Sequence, residues 1–377
     1  MNQFQPKGIL NRSATEHLAA LSKGEYSALE LTQESIKHAK ATKELNIFLS
    51  IDEERILNQA KNSDSRRQSG RIGKLEGIPV SVKDNIAEEG EQLTCASKFL
   101  ENYRSPYSAT VIQKLKDEGA VLFGRTNLDE FAMGSSTENS AFGVTKNPHS
   151  TDRVPGGSSG GSAASVAAGI VPLSIGTDTG GSIRQPAAYC GVYGLKPTYG
   201  QVSRYGAVAF ASSLDQIGPF ARTTDDTALL MSVLEGHDPL DSTSYFESPK
   251  TDTEIKTLSS QQLKKLKVGV QIPDINEPGF DTSVVEACQT LIEKLKSLGT
   301  QIIPIHSKLW QYSIPLYYIL ATAEASSNLA RFDGIRYGVR SKNSKGLIDL
   351  YVRSRTEGFG PEVKRRILLG TYVLSSG

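Results

Sequence analysis

Residues 155–197 read PGGSSGGSAASVAAGIVPLSIGTDTGGSIRQPAAYCGVYGLKP, and this is the most informative stretch of the chain. It holds two glycine-flanked serine clusters, 156–162 and 176–182, which enclose a predicted small-residue helix and a predicted apolar strand. Glycines at this density mark tight turns or a close approach of the backbone. The second cluster ends just before a predicted helix start at Ile183, so its serine hydroxyl lies beside unpaired backbone N–H groups. A nucleophile with an oxyanion hole needs that arrangement.

Three interpretations of this stretch compete. The first is a glycine-rich loop that serves packing alone. The second is a phosphate-binding loop, which is disfavoured because neither a Gly-x-x-x-x-Gly-Lys-[Ser/Thr] nor a Gly-x-Gly-x-x-Gly pattern is present. The third is a serine nucleophile. Residues 157–161 match Gly-x-Ser-x-Gly, but a nucleophile elbow follows a buried strand and residues 147–153 are polar and turn-like, so we reject the elbow.

A serine nucleophile needs a base, and the five histidines offer no good candidate near the serine clusters. A lysine can take this role when burial lowers its pKa from about 10.4 towards neutrality. Residues 77–85 read GIPVSVKDN, and Lys83 ends the alternating apolar pattern within them. This pattern predicts a strand that directs Lys83 inward. A solvated lysine at a strand end is the alternative, and the residues alone leave it open.

These motifs resemble the amidase signature family, which uses a lysine, a serine after a cis peptide bond and a nucleophilic serine. The family's pattern is matched by Lys83 in the strand motif, Ser158 in GGSSGG and Ser182 in DTGGSIR. The resemblance implies that Ser182 attacks an amide and that Ser158 relays the proton to Lys83. The predicted oxyanion donors are the backbone N–H groups of Thr179, Gly180, Gly181 and Ser182.

Composition narrows the functional classes. The chain of 377 residues has a net charge of +1 with 22% charged residues. It therefore lacks the excess of positive charge that would indicate direct nucleic-acid binding. Its three cysteines are scattered without metal-ligand spacing, which fits a reducing compartment. No apolar run is long enough to span a membrane. We therefore expect a cytoplasmic protein without membrane contact.

Predicted strands alternate with predicted helices, which favours an α/β fold. We expect an amidase-signature α/β/α sandwich with a central mixed, largely parallel sheet covered by helices on both faces, built as one domain over 1–377. Its predicted parts are an N-terminal helical segment 1–70, a catalytic core 71–236, a surface excursion 237–263 and a C-terminal substrate-side part 264–377. Capping boxes at Ser13 and Ser27 predict two N-terminal helices. Strands are predicted over 46–51, 80–82, 120–124, 171–175, 192–196, 267–270 and 301–305, helices over 53–60, 109–118, 163–168, 224–235 and 284–298, and a polar loop over 63–73.

The last third of the chain narrows the resemblance. Residues 317–338 and 357–371 are similar to the glutaminase subunits of glutamyl-tRNA(Gln) amidotransferases. This resemblance implies glutamine as substrate, bound by Tyr317 and Arg366, with their neighbours Tyr318 and Arg365 left open. A guanidinium fork suits the α-carboxylate of free glutamine. By the same resemblance, Met133 and Gly134 are predicted to bind substrate.

The resemblance also implies partners. Ammonia would pass to the amidotransferase's B subunit, which uses ATP and Mg²⁺ to activate glutamyl-tRNA, and a small C subunit would complete a heterotrimer. It implies no cofactor and no metal in the glutaminase subunit itself. We also expect a C-terminally truncated member of the family. The alternatives are a stand-alone amidase acting on another small amide, and a non-catalytic scaffold.

Overall fold

The computed structural model describes residues 4, 6, 8–246, 251, 258–271 and 279–375. The chain divides into two compact units, one formed by Met1–Thr253 with Tyr318–Gly377 and the other by Glu254–Tyr317. The predicted surface excursion 237–263 lies partly outside the described residues. The single domain and its internal boundaries stay predictions.

The described elements include eight strands, twelve α-helices and six short 3-10 helices. The strands are β1 Phe48–Ser50, β2 Pro79–Lys83, β3 Val121–Thr126, β4 Leu173–Asp178, β5 Tyr193–Gly194, β6 Gln216–Ala221, β7 Lys267–Val270 and β8 Gln301–Pro304. The helices are α1 Ala14–Lys23, α2 Ala28–Ala41, α3 Glu53–Gln68, α4 Thr110–Asp117, α5 Gly160–Ala167, α6 Arg184–Cys190, α7 Thr224–Leu234, α8 Ser260–Lys265, α9 Thr282–Ser297, α10 Ser313–Asn328, α11 Leu347–Gly358 and α12 Pro361–Ser375. None of these helices has both the length and the apolarity needed to cross a bilayer.

A six-stranded mixed sheet in the order β1-β3-β2-β4-β6-β5 forms the centre of the larger unit. Strands β3, β2 and β4 are parallel, whereas β1, β6 and β5 join antiparallel at the two sides. Every residue of β2, β3, β4 and β6 is buried. Because successive side chains of a strand point to opposite faces, both faces of the sheet are covered. The α/β fold with a mixed sheet is confirmed, with its parallel part confined to the centre.

The parallel centre positions the candidate site. β2 pairs with β4 in the register Val80↔Leu173 to Val82↔Ile175, so the two strands end at the same edge of the sheet. Lys83 is the last residue of β2, and the second glycine-serine cluster begins within β4 and continues beyond its end at Asp178. The fold therefore brings together residues that lie about a hundred positions apart in the sequence.

The N-terminal helices begin as predicted. Ser13 and Ser27 each form both hydrogen bonds of a capping box, at the starts of α1 and α2. The predicted polar loop over 63–73 is wrong in its first half, because α3 continues to Gln68. Tertiary contacts stabilise the polar last part of α3. The carboxylate of Asp64 accepts the N–H groups of Ala28 and Leu29 at 2.7 and 3.1 Å, and so caps α2.

The smaller unit contains α8, β7, α9 and β8. β7 pairs with β8 in parallel, from Lys267↔Gln301 to Val270↔Pro304, and α9 connects the two strands. A parallel pair joined by a helix is the βαβ arrangement. The strands predicted over 267–270 and 301–305 are confirmed.

Candidate active site

Lys83 lies fully buried at the end of β2, in the middle of the sheet. Its Nζ lies 2.7 Å from Ser158 Oγ, 2.8 Å from Ser159 Oγ and 2.9 Å from Thr177 Oγ1. Burial lowers the pKa of Lys83 to about 7, although nearby carboxylates, Asp129 first among them, pull the pKa the other way. A lysine with this pKa is present as neutral amine and as ammonium in comparable amounts at neutral pH.

The surrounding hydrogen bonds orient the neutral amine. Ser159 Oγ donates its proton to the Thr177 carbonyl at 3.0 Å, and Thr177 Oγ1 accepts a second hydrogen from Asn85 Nδ2 at 3.1 Å. Both hydroxyls can therefore accept the two N–H groups that a neutral lysine retains. The lone pair is then left for Ser158, whose hydroxyl proton it can take.

Ser158 follows a cis peptide bond from Gly157. The N–H of Gly157 donates to Gln185 Oε1 at 2.9 Å, and the carbonyl of Ser158 accepts the N–H of Asp129 at 3.2 Å. A side chain at position 157 would collide with Asp129, because an added Cβ would lie 2.1 Å from its Oδ2. The glycine therefore allows the carboxylate to lie against the backbone beside Ser158.

Ser182 lies just before α6, in the turn that follows β4. It is 7% exposed, and its carbonyl oxygen accepts the N–H of Ser159 at 3.2 Å. This bond joins the two serine clusters through Ser159 and Ser182. The structure thus brings Ser182 beside the Ser158–Ser159 segment and places Lys83 in direct contact with Ser158.

Asp178 holds the turn that carries Ser182. Its buried carboxylate accepts the N–H groups of Gly181 at 2.8 Å and Ile183 at 3.1 Å, and it pairs with the Arg184 guanidinium at 2.9 Å. Burial pushes the pKa of Asp178 upward, but the bonds from Arg184 and the backbone outweigh it and the pKa is lowered. The carboxylate therefore stays ionised and organises the turn.

The predicted oxyanion donors differ in their availability. Asp178 takes the N–H of Gly181, so this group is committed elsewhere in the present conformation. Within the described residues, the N–H groups of Thr179, Gly180 and Ser182 donate to no protein acceptor. Gly180 is exposed, whereas Thr179 and Ser182 keep only a small exposed fraction of 8% and 7%. The three N–H groups therefore lie at the edge of the buried core, where a substrate can reach them. They remain the candidates for binding a developing oxyanion.

Arg366 on α12 is the buried member of the predicted arginine pair. Its guanidinium carbon lies 5.5 Å from the ring centroid of Tyr318 and 5.6 Å from that of Phe210, and its Nε donates to Glu362 Oε1 at 2.7 Å. Arg365 is exposed and pairs with the same carboxylate. Tyr318 is therefore the tyrosine seen against Arg366, and the predicted Tyr317 belongs to the smaller unit.

Met133 and Gly134 lie in a loop that contacts Ser158 through Asp129. Met133 is fully buried, and an added Cβ at Gly134 would lie 2.3 Å from the Asp129 Cγ. The Asp129 carboxylate accepts the N–H of Thr137 at 2.9 Å, which closes the loop. The structure thus places both predicted substrate-binding residues on a segment anchored beside the first serine cluster.

Sequence reasoning missed several residues that organise this site. Asp178 closes the turn that carries Ser182, Thr177 contacts Lys83 and accepts a hydrogen bond from Asn85, and Asp215 contacts Thr179. Only Asp178 carried a local signal, because an acidic residue two positions before Gly-Gly and six before an arginine suits a closed turn. The others act across 36 to 94 residues of sequence.

Comparison with known proteins agrees with this geometry. The family model described as Amidase matches residues 30–377. The chain is 53% identical over 359 residues to the A subunit of glutamyl-tRNA(Gln) amidotransferase from Caldanaerobacter subterraneus subsp. tengcongensis, covering 95% of this chain and 72% of the relative. It resembles the solved A subunit of the same enzyme from Thermotoga maritima (TM-score 0.73, 39% identity, 99% and 73% coverage). A peptide amidase from Stenotrophomonas maltophilia is also similar (TM-score 0.82, 28% identity, 95% and 75% coverage).

The chain belongs to the amidase signature family, whose members are enzymes that act on amides. At this level of identity its relatives are the A subunits of glutamyl-tRNA(Gln) amidotransferase, which their name describes as parts of a multi-subunit enzyme. The chain spans about three quarters of the length of these relatives.

Proposed function

We propose that this chain is the glutaminase subunit of a glutamyl-tRNA(Gln) amidotransferase. The observation that carries the proposal is the fully buried Lys83, with a pKa of about 7, in direct contact with Ser158 beside the Ser182 turn. Burying a lysine lowers the stability of the fold, because removing an ammonium group from water is unfavourable. A catalytic role explains why the lysine is nevertheless buried here. The similarity to the A subunits of glutamyl-tRNA(Gln) amidotransferase supports this particular enzyme, and we propose glutamine as its amide substrate.

In the proposed first half-reaction, Ser182 Oγ attacks the side-chain carbonyl carbon of glutamine. Its proton passes to Ser158 Oγ as the Ser158 proton moves to the neutral amine of Lys83. The carbonyl oxygen becomes an oxyanion that the free N–H groups of Thr179, Gly180 and Ser182 can bind. When the C–N bond breaks, the ammonium of Lys83 returns a proton through Ser158 to the leaving nitrogen, and ammonia departs from a γ-glutamyl ester.

In the second half-reaction, water attacks this ester and transfers a proton along the same path. Glutamate is released and the Ser182 hydroxyl is restored. The chain's own residues supply the nucleophile, the relay and the base, so we propose that the glutaminase needs no metal or organic cofactor. The ammonia would be consumed by the partner B subunit, which activates glutamyl-tRNA with ATP and Mg²⁺, in a cytoplasmic heterotrimer completed by the C subunit.

Arg366 is the group proposed to distinguish glutamine from simple amides. It is 5% exposed, and among the described residues its one carboxylate partner is Glu362, on the same helix. A guanidinium has five donors, so Arg366 retains donors for the α-carboxylate of glutamine. Tyr318 and Phe210 lie against its planar face, which restricts its orientation.

Arg366→Met is expected to raise the KM for glutamine roughly ten- to hundredfold, the effect of losing a hydrogen bond to a charged group. The same variant should hydrolyse butyramide, which has no α-carboxylate, like the unmodified protein. Steady-state kinetics on both amides in the assembled complex measures the difference. Arg365→Met is the matched control, since it removes an exposed guanidinium from the same Glu362. An equal loss on both substrates would mean that Arg366 acts through its packing on Phe210 and Tyr318 and does not recognise the α-carboxylate.

A further inference from the structure

The turn that carries Ser182 is held from a second side by Asp215, which the mechanism above does not use. Asp215 lies immediately before β6, next to the pair Asp178↔Gln216 that ends the contact of β4 with β6. It is 8% exposed, and its Oδ1 accepts the hydroxyl of Thr179 at 2.5 Å. The side chain is therefore opposite Thr179, at the start of the candidate oxyanion hole.

The other carboxylate oxygen of Asp215 is also occupied. Oδ2 accepts the N–H groups of Phe210 at 2.9 Å and Ala211 at 3.1 Å. Burial raises the pKa of Asp215 to about 6, so the carboxylate is mainly ionised at neutral pH. It connects the turn after β4 to the start of residues 210–215, called here the bridging segment. Three hydrogen bonds onto a buried charge are stronger than the same contacts onto a neutral acceptor.

The bridging segment is itself fixed to helix α10. Asn328 Nδ2 donates to the carbonyl of Phe210 at 3.1 Å, and the N–H of Ser213 donates to Glu324 Oε2 at 3.0 Å. The Phe210 ring lies under the Arg366 guanidinium. Asp215 therefore binds Thr179 from a bridging segment that contacts with α10 and α12 hold in place. Asp215 can position the turn only because this segment is itself fixed.

Fixing the Thr179 hydroxyl also fixes its backbone. Threonine is β-branched, so its χ1 angle has few accessible values and a held Oγ1 restricts the orientation of the Cα and its peptide groups. The N–H of Thr179 is one of the donors without a protein acceptor in the described part of the chain. We propose that Asp215 is a positioning residue that aims the Thr179 N–H at the oxyanion of the tetrahedral intermediate.

This proposal rests on the proposed amide hydrolysis but not on glutamine as the substrate, because the oxyanion forms with any amide. Asp215→Asn keeps the shape of the side chain and replaces the charged acceptor by a neutral amide. The amide can direct its oxygen at the two N–H groups or at Thr179, but not at both with equal strength. We expect kcat to fall about tenfold or more for glutamine and for butyramide, with KM changed less than twofold. Loss of a whole oxyanion donor, about a hundredfold or more, is the upper limit.

Thr179 provides the test that separates positioning from stability. Thr179→Val removes the hydroxyl and should lower kcat like Asp215→Asn, whereas Thr179→Ser keeps it and should retain most of the unmodified rate. The double variant Asp215→Asn/Thr179→Val should be no slower than the slower single variant, because both changes break the same contact. Asp226→Asn is the control for removing a buried carboxylate, since Asp226 accepts the N–H groups of Ala14 and Thr15 on α1.

The outcomes are distinguishable when kcat is expressed per active site titrated with an acylating reagent. A loss of kcat in Asp215→Asn and Thr179→Val, with rescue in Thr179→Ser and none in the Asp226 control, supports the proposal. Unchanged kcat on both amides in Asp215→Asn overturns it, as does a Thr179→Ser variant as slow as Thr179→Val. Failure of the proposed glutaminase would instead be seen in the unmodified protein, as butyramide hydrolysis without preference for glutamine.

Discussion

Replacement of Ser182 by alanine is expected to lower kcat for glutamine hydrolysis by roughly 10⁴-fold or more, the scale seen when a serine nucleophile is removed. The hydroxyl is the only group lost, because the turn is held by the Asp178 carboxylate and by the bond from the Ser159 N–H to the Ser182 carbonyl. The melting temperature should therefore stay within a few degrees of the unmodified value. Steady-state glutaminase assays and thermal unfolding measure the two quantities.

Ser174→Ala is the matched control for this prediction. Ser174 is fully buried on β4 and donates to the Ser81 carbonyl at 3.1 Å, and its described hydrogen bonds involve Ser81 and not Lys83 or Ser158. The control should keep most of the activity. Near-normal turnover in Ser182→Ala, together with an inactive Ser159→Ala, would assign the attack to the other serine cluster.

Lys83 carries the second prediction. Lys83→Met should lower kcat by roughly 10³-fold or more, and Lys83→Arg should not restore it, because arginine does not deprotonate at accessible pH. In the unmodified protein, kcat should rise as the pH increases through about 7, where the ammonium form of Lys83 becomes the neutral base. A pH profile of kcat from 5 to 9 measures this rise.

Replacing Lys83 is expected to lower activity but not stability. The pKa of Lys83 is lowered in the folded chain, so between about 7 and 10.5 the unfolded chain binds the additional proton and stability gains with rising pH from this group. Below about 7 the full cost of burying the ammonium remains. Lys83→Met removes this cost, and Ser159 and Thr177 retain their other hydrogen bonds. Its melting temperature at pH 7 should therefore equal or exceed the unmodified value.

Lys114→Met is the control for both Lys83 predictions. Lys114 on α4 is half-buried, its pKa is also lowered by burial, and it donates to the carbonyl of Glu235 at 2.5 Å. It lies outside the site, so its variant should keep the normal pH profile. An active Lys83→Arg variant would mean that position 83 supplies only positive charge.

The sequence predicted those elements of the fold that depend on interactions between neighbouring residues. The capping boxes at Ser13 and Ser27 need only neighbouring residues, and both helices begin where these serines predict. The alternating strand that ends at Lys83 and the apolar strand after the first serine cluster are also present, and the second is shifted to Leu173–Asp178. The central strands are buried on both faces, so hydrophobicity identifies them without fixing their ends.

What the sequence could not predict depends on contacts between distant residues. The end of α3 remains helical because Asp64 caps α2 and Arg66 pairs with Glu76 at 2.8 Å, and neither contact has a local signature. Asp215 contacts Thr179 only because β4 and β6 pair antiparallel, a register set by the whole sheet. Adjacent tyrosines on a helix point about 100° apart, so spacing alone could not choose between Tyr317 and Tyr318.

Mass spectrometry of the acyl-enzyme tests the central claim most directly. The complex is mixed with glutamine, quenched in acid during turnover and digested with trypsin. No lysine or arginine lies between Val154 and Arg184, so Ser158, Ser159 and Ser182 share one tryptic peptide and fragmentation must locate the modification. We predict one γ-glutamyl group on Ser182. A γ-glutamyl group on Ser158 or Ser159 would contradict the account.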